Sequence, residues 1–150
     1  MTSLKHQLHS HCLAYIHERI TAAQAAIQTA QLSANEETKS SAGDKYETGR
    51  AMAQLEIEKN IVQLAEAMKL KQALEQISPD QKTTSVQIGS LVITNQGNFY
   101  IAISAGQFVI DDKTYFAISA ASPIGQKLKG LGVGTSFNFN KKEYWITQVL

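Results

Sequence analysis

Cysteine is almost absent from this chain. Cys12 is the single one, so no internal disulfide can form, and a lone Cys among apolar neighbours reads as a small core residue. Such usage fits a reducing compartment. Long hydrophobic runs are missing as well: no stretch approaches the ~20 apolar residues of a membrane helix, and the start, Met-Thr-Ser-Leu-Lys-His, lacks a basic-then-apolar signal pattern. The expectation is a cytoplasmic protein with no membrane partner. Net charge is only +1, which excludes general electrostatic binding to nucleic acid, since that needs a basic stripe displacing many counterions. Any nucleic-acid connection should therefore run through a protein partner.

Glycine is scarce in one half only. Residues 1–80 hold two, Gly43 and Gly49, while residues 81–150 hold the other seven. Charge divides in the same way, with 8 basic and 10 acidic residues in the first stretch against 6 and 3 in the second. Two units are implied. In the first, Leu13, Ile16, Ile20, Ala23, Ile27 and Ala30 recur at spacings of three and four, the period of a helix running from about Leu4 to about Ala34. After Gly43 the same rule places Ile57, Ile61, Leu64, Ala67, Leu70, Leu74 and Ile77 on a second helix that ends at Ser78-Pro79. Each stripe is only wide enough for one partner helix. A link as short and polar as Asn35 to Ala42 makes the two pack antiparallel, and about 28 shared residues make a hairpin roughly 40 Å long, too long to lie wholly against a 70-residue domain.

At the turn of that hairpin stands Gly43-Asp44-Lys45-Tyr46-Glu47. Two readings fit it equally. Asp44 can cap a backbone N–H while Glu47 reaches back in a capping box; alternatively, one helical turn places both carboxylates on one face with Cβ atoms roughly 5–6 Å apart, close enough to hold one hard cation. His6, His9, His11 and His17 crowd the first helix, but with no Cys partner and no carboxylate before Glu18 the zinc signal is weak.

Ser78-Pro79-Asp80-Gln81-Lys82-Thr83-Thr84 breaks the helical period and serves as a linker. From Val86 the period falls to two, with Phe99, Ile101 and Ile103 on one face and Tyr100, Ala102 and Ser104 on the other. Asn95-Gln96-Gly97-Asn98, Asp111-Asp112-Lys113 and Asn140-Lys141-Lys142 are hairpin turn signals, so a small antiparallel sheet is predicted. Ser122-Pro123 opens a short helix, with Ser as cap and Pro in first position. Gly130-Leu131-Gly132-Val133-Gly134 closes it; this run follows a helix and lacks a Lys-Ser/Thr pair, so it is a helix stop and strand entry instead of a phosphate cradle. The fold class is α+β: an antiparallel helical hairpin over 1–78 with its tip near 35–47, a linker at 79–85, and a sheet domain with one short helix over 86–150.

A helical hairpin tipped by Gly-Asp-x-x-Glu and followed by a sheet domain containing Ser122-Pro123-Ile124-Gly125-Gln126-Lys127-Leu128-Lys129-Gly130 resembles the GreA/GreB-type bacterial transcript cleavage factors. The resemblance implies an FKBP-like C-terminal domain that docks on RNA polymerase while the coiled coil enters the secondary channel. Asp44 and Glu47 would there be the acids that help hold a second magnesium ion, shared with the polymerase active centre, and so act in catalysis. Ser122, Pro123 and Ile124 match the family's docking loop and would bind polymerase. The chain would then be no enzyme itself: it would stimulate the intrinsic endonucleolytic cleavage of backtracked RNA, as a monomer that meets nucleic acid only inside the polymerase complex. Mg²⁺ suits a site of one or two carboxylates because it keeps several waters and borrows ligands from substrate.

The chain departs from the family after Glu47, where Glu-Asn-Ala-Glu-Tyr is usual and Thr48-Gly49-Arg50-Ala51 stands instead. Arg50 reverses a charge one turn beyond Glu47, and Gly49 weakens the helix by about 0.5–1 kcal/mol relative to Ala. This supports the alternative of a polymerase-binding paralogue that inhibits or modulates without cleavage. Two other classes remain: an FKBP-like prolyl isomerase with Tyr100, Phe116 and Trp145 as its apolar pocket, and an adaptor whose seam pairs with another copy.

Overall fold

The computed structural model describes residues 3–39 and 43–150, with the side chains of 37–46 left aside. Helix α1 spans Leu4–Lys39 and α2 Gly43–Glu75. Ser3 starts α1: its hydroxyl accepts from the His6 N–H at 3.2 Å, satisfying one of the orphan donors of the first turn, and its carbonyl accepts the first intrahelical bond, from the Gln7 N–H. α1 runs five residues past the expected Ala34, through Asn35-Glu36-Glu37-Thr38-Lys39, where Glu and Lys are good helix formers. α2 stops three residues short of Ser78. Its last turn tightens through bonds from Gln76 to Ala73 and from Ile77 to Leu74, and the residue before Pro79 is biased away from helix.

Contacts divide the chain into two compact units, Ile16–Lys71 and a second made of Met1–Tyr15 with Gln72–Leu150. Both boundaries cross a helix, so the outer ends of α1 and α2 cluster with the sheet. Within Ile16–Lys71, the seam of α1 buries Ile16, Ala23 and Ala30 and half-buries Ile20 and Ile27, as expected. The seam of α2 is Ala53, Ile57, Leu64 and Ala67. Ile61, expected among them, is 51% exposed. Alternating steps of four and three from Ala53 land on Asn60 instead, which is half-buried and donates to the Glu56 carbonyl at 2.8 Å and its carboxylate at 3.1 Å.

The second unit is built on a six-stranded sheet: β1 Leu91–Thr94, β2 Asn98–Ile101, β3 Gly106–Ile110, β4 Lys113–Ile118, β5 Ser136–Phe139 and β6 Lys142–Val149, in the order β3-β4-β2-β1-β6-β5. All three predicted turns join neighbouring strands. Asp111 (φ 50°) with Asp112 (φ 64°), and Asn140 (φ 50°) with Lys141 (φ 65°), lie in the left-handed region, as the primed turns of two-residue hairpins require. The predicted all-antiparallel sheet needs one correction, because β2 and β4 pair in parallel, Phe99 opposite Phe116 and Tyr100 opposite Ala117. The chain leaves β2, forms the edge strand β3, and turns back to insert β4 between them.

The period-two pattern sorts the sheet's faces as predicted. Phe99 and Ile101 join Val86, Val92, Leu128 and Ile146 in one core cluster, with Ile124 of the short helix α3 (Pro123–Leu128) packed against it. Tyr100 faces the other way and is fully buried, its hydroxyl 3.0 Å from His9 Nδ1 of α1. The first turns of α1 are held there by further bonds: Lys5 Nζ donates to the carbonyls of Gln81 (2.5 Å) and Leu150 (3.2 Å), His6 Nε2 lies 2.5 Å from Asp80 Oδ1, and the His11 ring stacks on Phe108 of β3 at 5.0 Å. Leu8, Cys12 and Leu74 are fully buried in the same unit.

Gly125 marks a close approach that its sequence context did not announce. A Cβ there would lie 2.3 Å from the Ser119 carbonyl oxygen and 2.8 Å from Ser122 Oγ. Gly125→Ala must push α3 off backbone, and overpacking of this kind costs about 1–3 kcal/mol; urea unfolding should show a lowered midpoint with an unchanged slope. His9 supplies a pH signature. Burial, and secondarily the neighbouring His6, lower its pKa. The unfolded chain then binds a proton that the folded one resists, so the stability from neutral His9 is full above the ordinary value of about 6.5 and is lost as pH falls through the depressed folded value. Against the wild type, His9→Gln should show a flatter loss of stability on acidification between about pH 6.5 and that depressed value.

Candidate functional site

α2 begins at Gly43, so Asp44 stands inside the first turn, two places past the cap position that the capping-box reading assigned to it. Glu47 follows three residues later and is exposed; the side chain of Asp44 lies outside the described residues. Both acids occupy the N-terminal end of a 33-residue helix, where the macrodipole favours negative charge. Two carboxylates one turn apart can supply at most part of a coordination shell, with the rest left to water or substrate.

The antiparallel pairing of the hairpin positions these acids. Ala26, Thr29, Ala30 and Ser33 of α1 line one groove of about 430 Å³ with Gly49, Met52, Ala53 and Glu56 of α2; farther along, Arg19, Ala22, Ala23 and Ala26 line another with Asn60 and Gln63, and Arg19 donates to Gln63 Oε1 at 3.4 Å. The C-terminal part of α1 thus lies beside the N-terminal part of α2, which puts Asp44 and Glu47 at the end where the two helices join. Small residues dominate this contact, and half-buried Gly49, read from sequence as a local weakness, is one of them.

Three histidines of the first helix face three separate partners, His6 to Asp80, His9 to Tyr100 and His11 to Phe108. No group of three or more His, Cys, Asp or Glu that could hold a metal occurs among the described residues. Burial pushes the Cys12 thiol up to about 12, which leaves it protonated and a poor nucleophile at neutral pH.

Ser122-Pro123-Ile124 forms the start of α3, as the local reading of these residues held. Ser122 (φ −64°, ψ 156°) caps the helix: its hydroxyl accepts from the Gly125 N–H at 3.1 Å and donates to the Ser119 carbonyl at 2.7 Å. Pro123 is exposed, and Ile124 is half-buried against the core. The proposed isomerase pocket does not assemble. Phe116 pairs with Phe99 and Tyr100 with Ala117, so Tyr100 and Phe116 lie on opposite faces of the sheet, and Trp145 is 50% exposed. The aromatic cluster the structure does form is Phe99 on Phe116 (5.7 Å), Phe137 on Tyr144 (5.0 Å) and Phe139 edge-on to Tyr144 (6.5 Å). Alternation along β5 and β6 could have revealed it.

Among the described residues no helix is long and apolar enough to cross a membrane. No family model matches this chain, and no curated protein matches it. It is similar to a solved structure titled "Structure of the transcription factor Gfh1", with 19% identity over 89% of this chain and 90% of that one and a TM-score of 0.35. Similarity that distant leaves function to this chain's own residues.

Loss of the Ser122 cap is directly measurable. Ser122→Ala removes the acceptor for the Gly125 N–H and should cost about 1 kcal/mol in chemical unfolding, whereas Pro123→Ala, at an exposed first position, should cost less.

Proposed function

We propose that this chain is a Gre-like transcription elongation factor that binds RNA polymerase and stimulates cleavage of backtracked RNA through Asp44 and Glu47. The observation that carries the proposal is the placement of two acids one turn apart at the joined end of a narrow helical hairpin. A two-helix rod is slim enough to enter a channel, and acids at its end deliver negative charge to whatever lies inside. In the polymerase complex, Asp44 and Glu47 would contribute carboxylate oxygens to a magnesium ion whose other ligands are water and RNA phosphate. Such an ion supplies Lewis-acid polarisation of the scissile phosphate and a lowered pKa for the attacking water. The acids themselves concentrate charge at the α2 N-terminus and fix where the ion sits. Free of polymerase, two carboxylates hold Mg²⁺ weakly. Ser122, Pro123 and Ile124 are the residues assigned to docking, with exposed Pro123 at the centre of their surface.

A specific observation favours a second reading. Thr48-Gly49-Arg50-Ala51 puts an arginine one turn past Glu47, and a cation there offsets part of the charge the pair would deliver. In that reading the chain docks in the same way and blocks or modulates the channel without cleavage.

A stalled, backtracked polymerase complex separates the two. Asp44→Asn with Glu47→Gln removes both charges while keeping comparable shape and helix chemistry. Under the cleavage reading, wild type accelerates RNA cleavage at least tenfold over polymerase alone and the double variant binds equally but loses the acceleration. Equal binding without acceleration by either protein identifies the blocking variant, and failure of both to bind polymerase removes the polymerase reading altogether.

A further inference from the structure

The seam of the hairpin loses its large side chains toward the joined end. Ile16 and Ala67 are fully buried in it, Ile57 is buried, and Ile20, Ile27 and Leu64 are half-buried. Past Ile27 on α1 and Ile57 on α2, over residues 28–36 and 47–56, the buried side chains are Ala30 and Ala53, with Ala34 and Gly49 half-buried. The larger apolar residues of these two stretches, Leu32, Met52 and Leu55, are each more than half exposed. The groove of about 430 Å³ lies here, with Ala30 and Ser33 lining it from one helix and Gly49 and Ala53 from the other.

That composition sets the local stability. A buried alanine methyl removes far less apolar area from water than a buried Ile or Leu, while each residue held in a helix carries much the same backbone ordering cost. Gly49 raises that cost inside α2, and side chains that line a groove lack packing partners on one side. Helices shorter than about 12–15 residues are marginal without tertiary packing, and 28–36 and 47–56 are two such lengths with little of it. Segments with few buried apolar contacts open before the whole molecule does.

We propose that the joined end of the hairpin, 28–36 with 47–56, opens as one cooperative block while the remainder of the hairpin stays closed, with the step at Ile27 and Ile57. Opening unwinds the start of α2, and the one-turn spacing that sets Asp44 beside Glu47 exists only while that helix is wound. The acid pair is therefore presented by the closed state alone, and any partner that grips the closed hairpin end stabilises it by mass action. The inference concerns the free chain and does not depend on the polymerase reading.

The test is native-state amide hydrogen exchange on the full chain, in the absence of any partner and over a series of low urea concentrations. Amides of 30–36 and 49–56 should exchange as a group, about a hundredfold faster than those of 16–24 and 60–68, and with a shallower urea dependence, because a small block exposes little surface when it opens. Ser33 is exposed at the groove, so Ser33→Leu supplies the seam with the large side chain it lacks and should slow exchange of the block about tenfold. Ser33→Ala gives the same gain in helix propensity without filling the groove and should slow it less; unchanged circular dichroism verifies folding of both. The proposal is overturned by block amides that exchange no faster than the rest of the hairpin or with the same urea dependence, by exchange that rises residue by residue toward the joined end with no step at Ile27 and Ile57, or by a Ser33→Leu effect no larger than that of Ser33→Ala.

Discussion

Everything in the sheet-containing unit is arranged around one buried tyrosine. Tyr100 is completely enclosed, and a phenol hydroxyl so placed needs a hydrogen-bond partner. His9 provides it from the second turn of α1. That single requirement makes the first helix part of the sheet's packing, and the contacts around it follow from the same docking: Lys5 bridging the linker and the end of the chain, His6 meeting Asp80, and His11 lying flat on Phe108. Histidines in such surroundings need no metal to explain them. Desolvation then sets the chemistry of the region, lowering the pKa of Lys5 and His9 and raising those of Cys12 and Tyr100.

The hairpin is governed by a different logic. Its seam uses alanine where a coiled coil would use leucine, with Ala23, Ala30, Ala53 and Ala67 buried. Ile16, Ile57 and Leu64 share the seam with them, and Gly49 lines a groove with Ala30 and Ser33. The larger apolar residues Met52, Leu55, Ile61, Val62 and Met68 are exposed.

The proposed function would rest on the joining of these two kinds of packing with the acids of α2. A slim pair of helices delivers whatever stands at its joined end, and here Asp44 and Glu47 stand there together with the helix dipole. In the sheet unit Ser122 is committed to capping α3, and Pro123 beside it is exposed.

Local chemistry determined much of this in the sequence alone. The two helices follow from a three-four apolar period, the strand faces from a period of two, and the tight turns from Asp111-Asp112 and Asn140-Lys141, because each of these depends on residues only a few places apart. The acid pair was legible for the same reason. What needed tertiary structure was every choice between distant alternatives: β4 entering between β2 and β3, Asn60 taking the seam position offered to Ile61, the division of each helix between two units, and Tyr100 and Phe116 parting to opposite faces. Those outcomes are set by which surfaces bury most area once the whole chain has folded, and no local period encodes them.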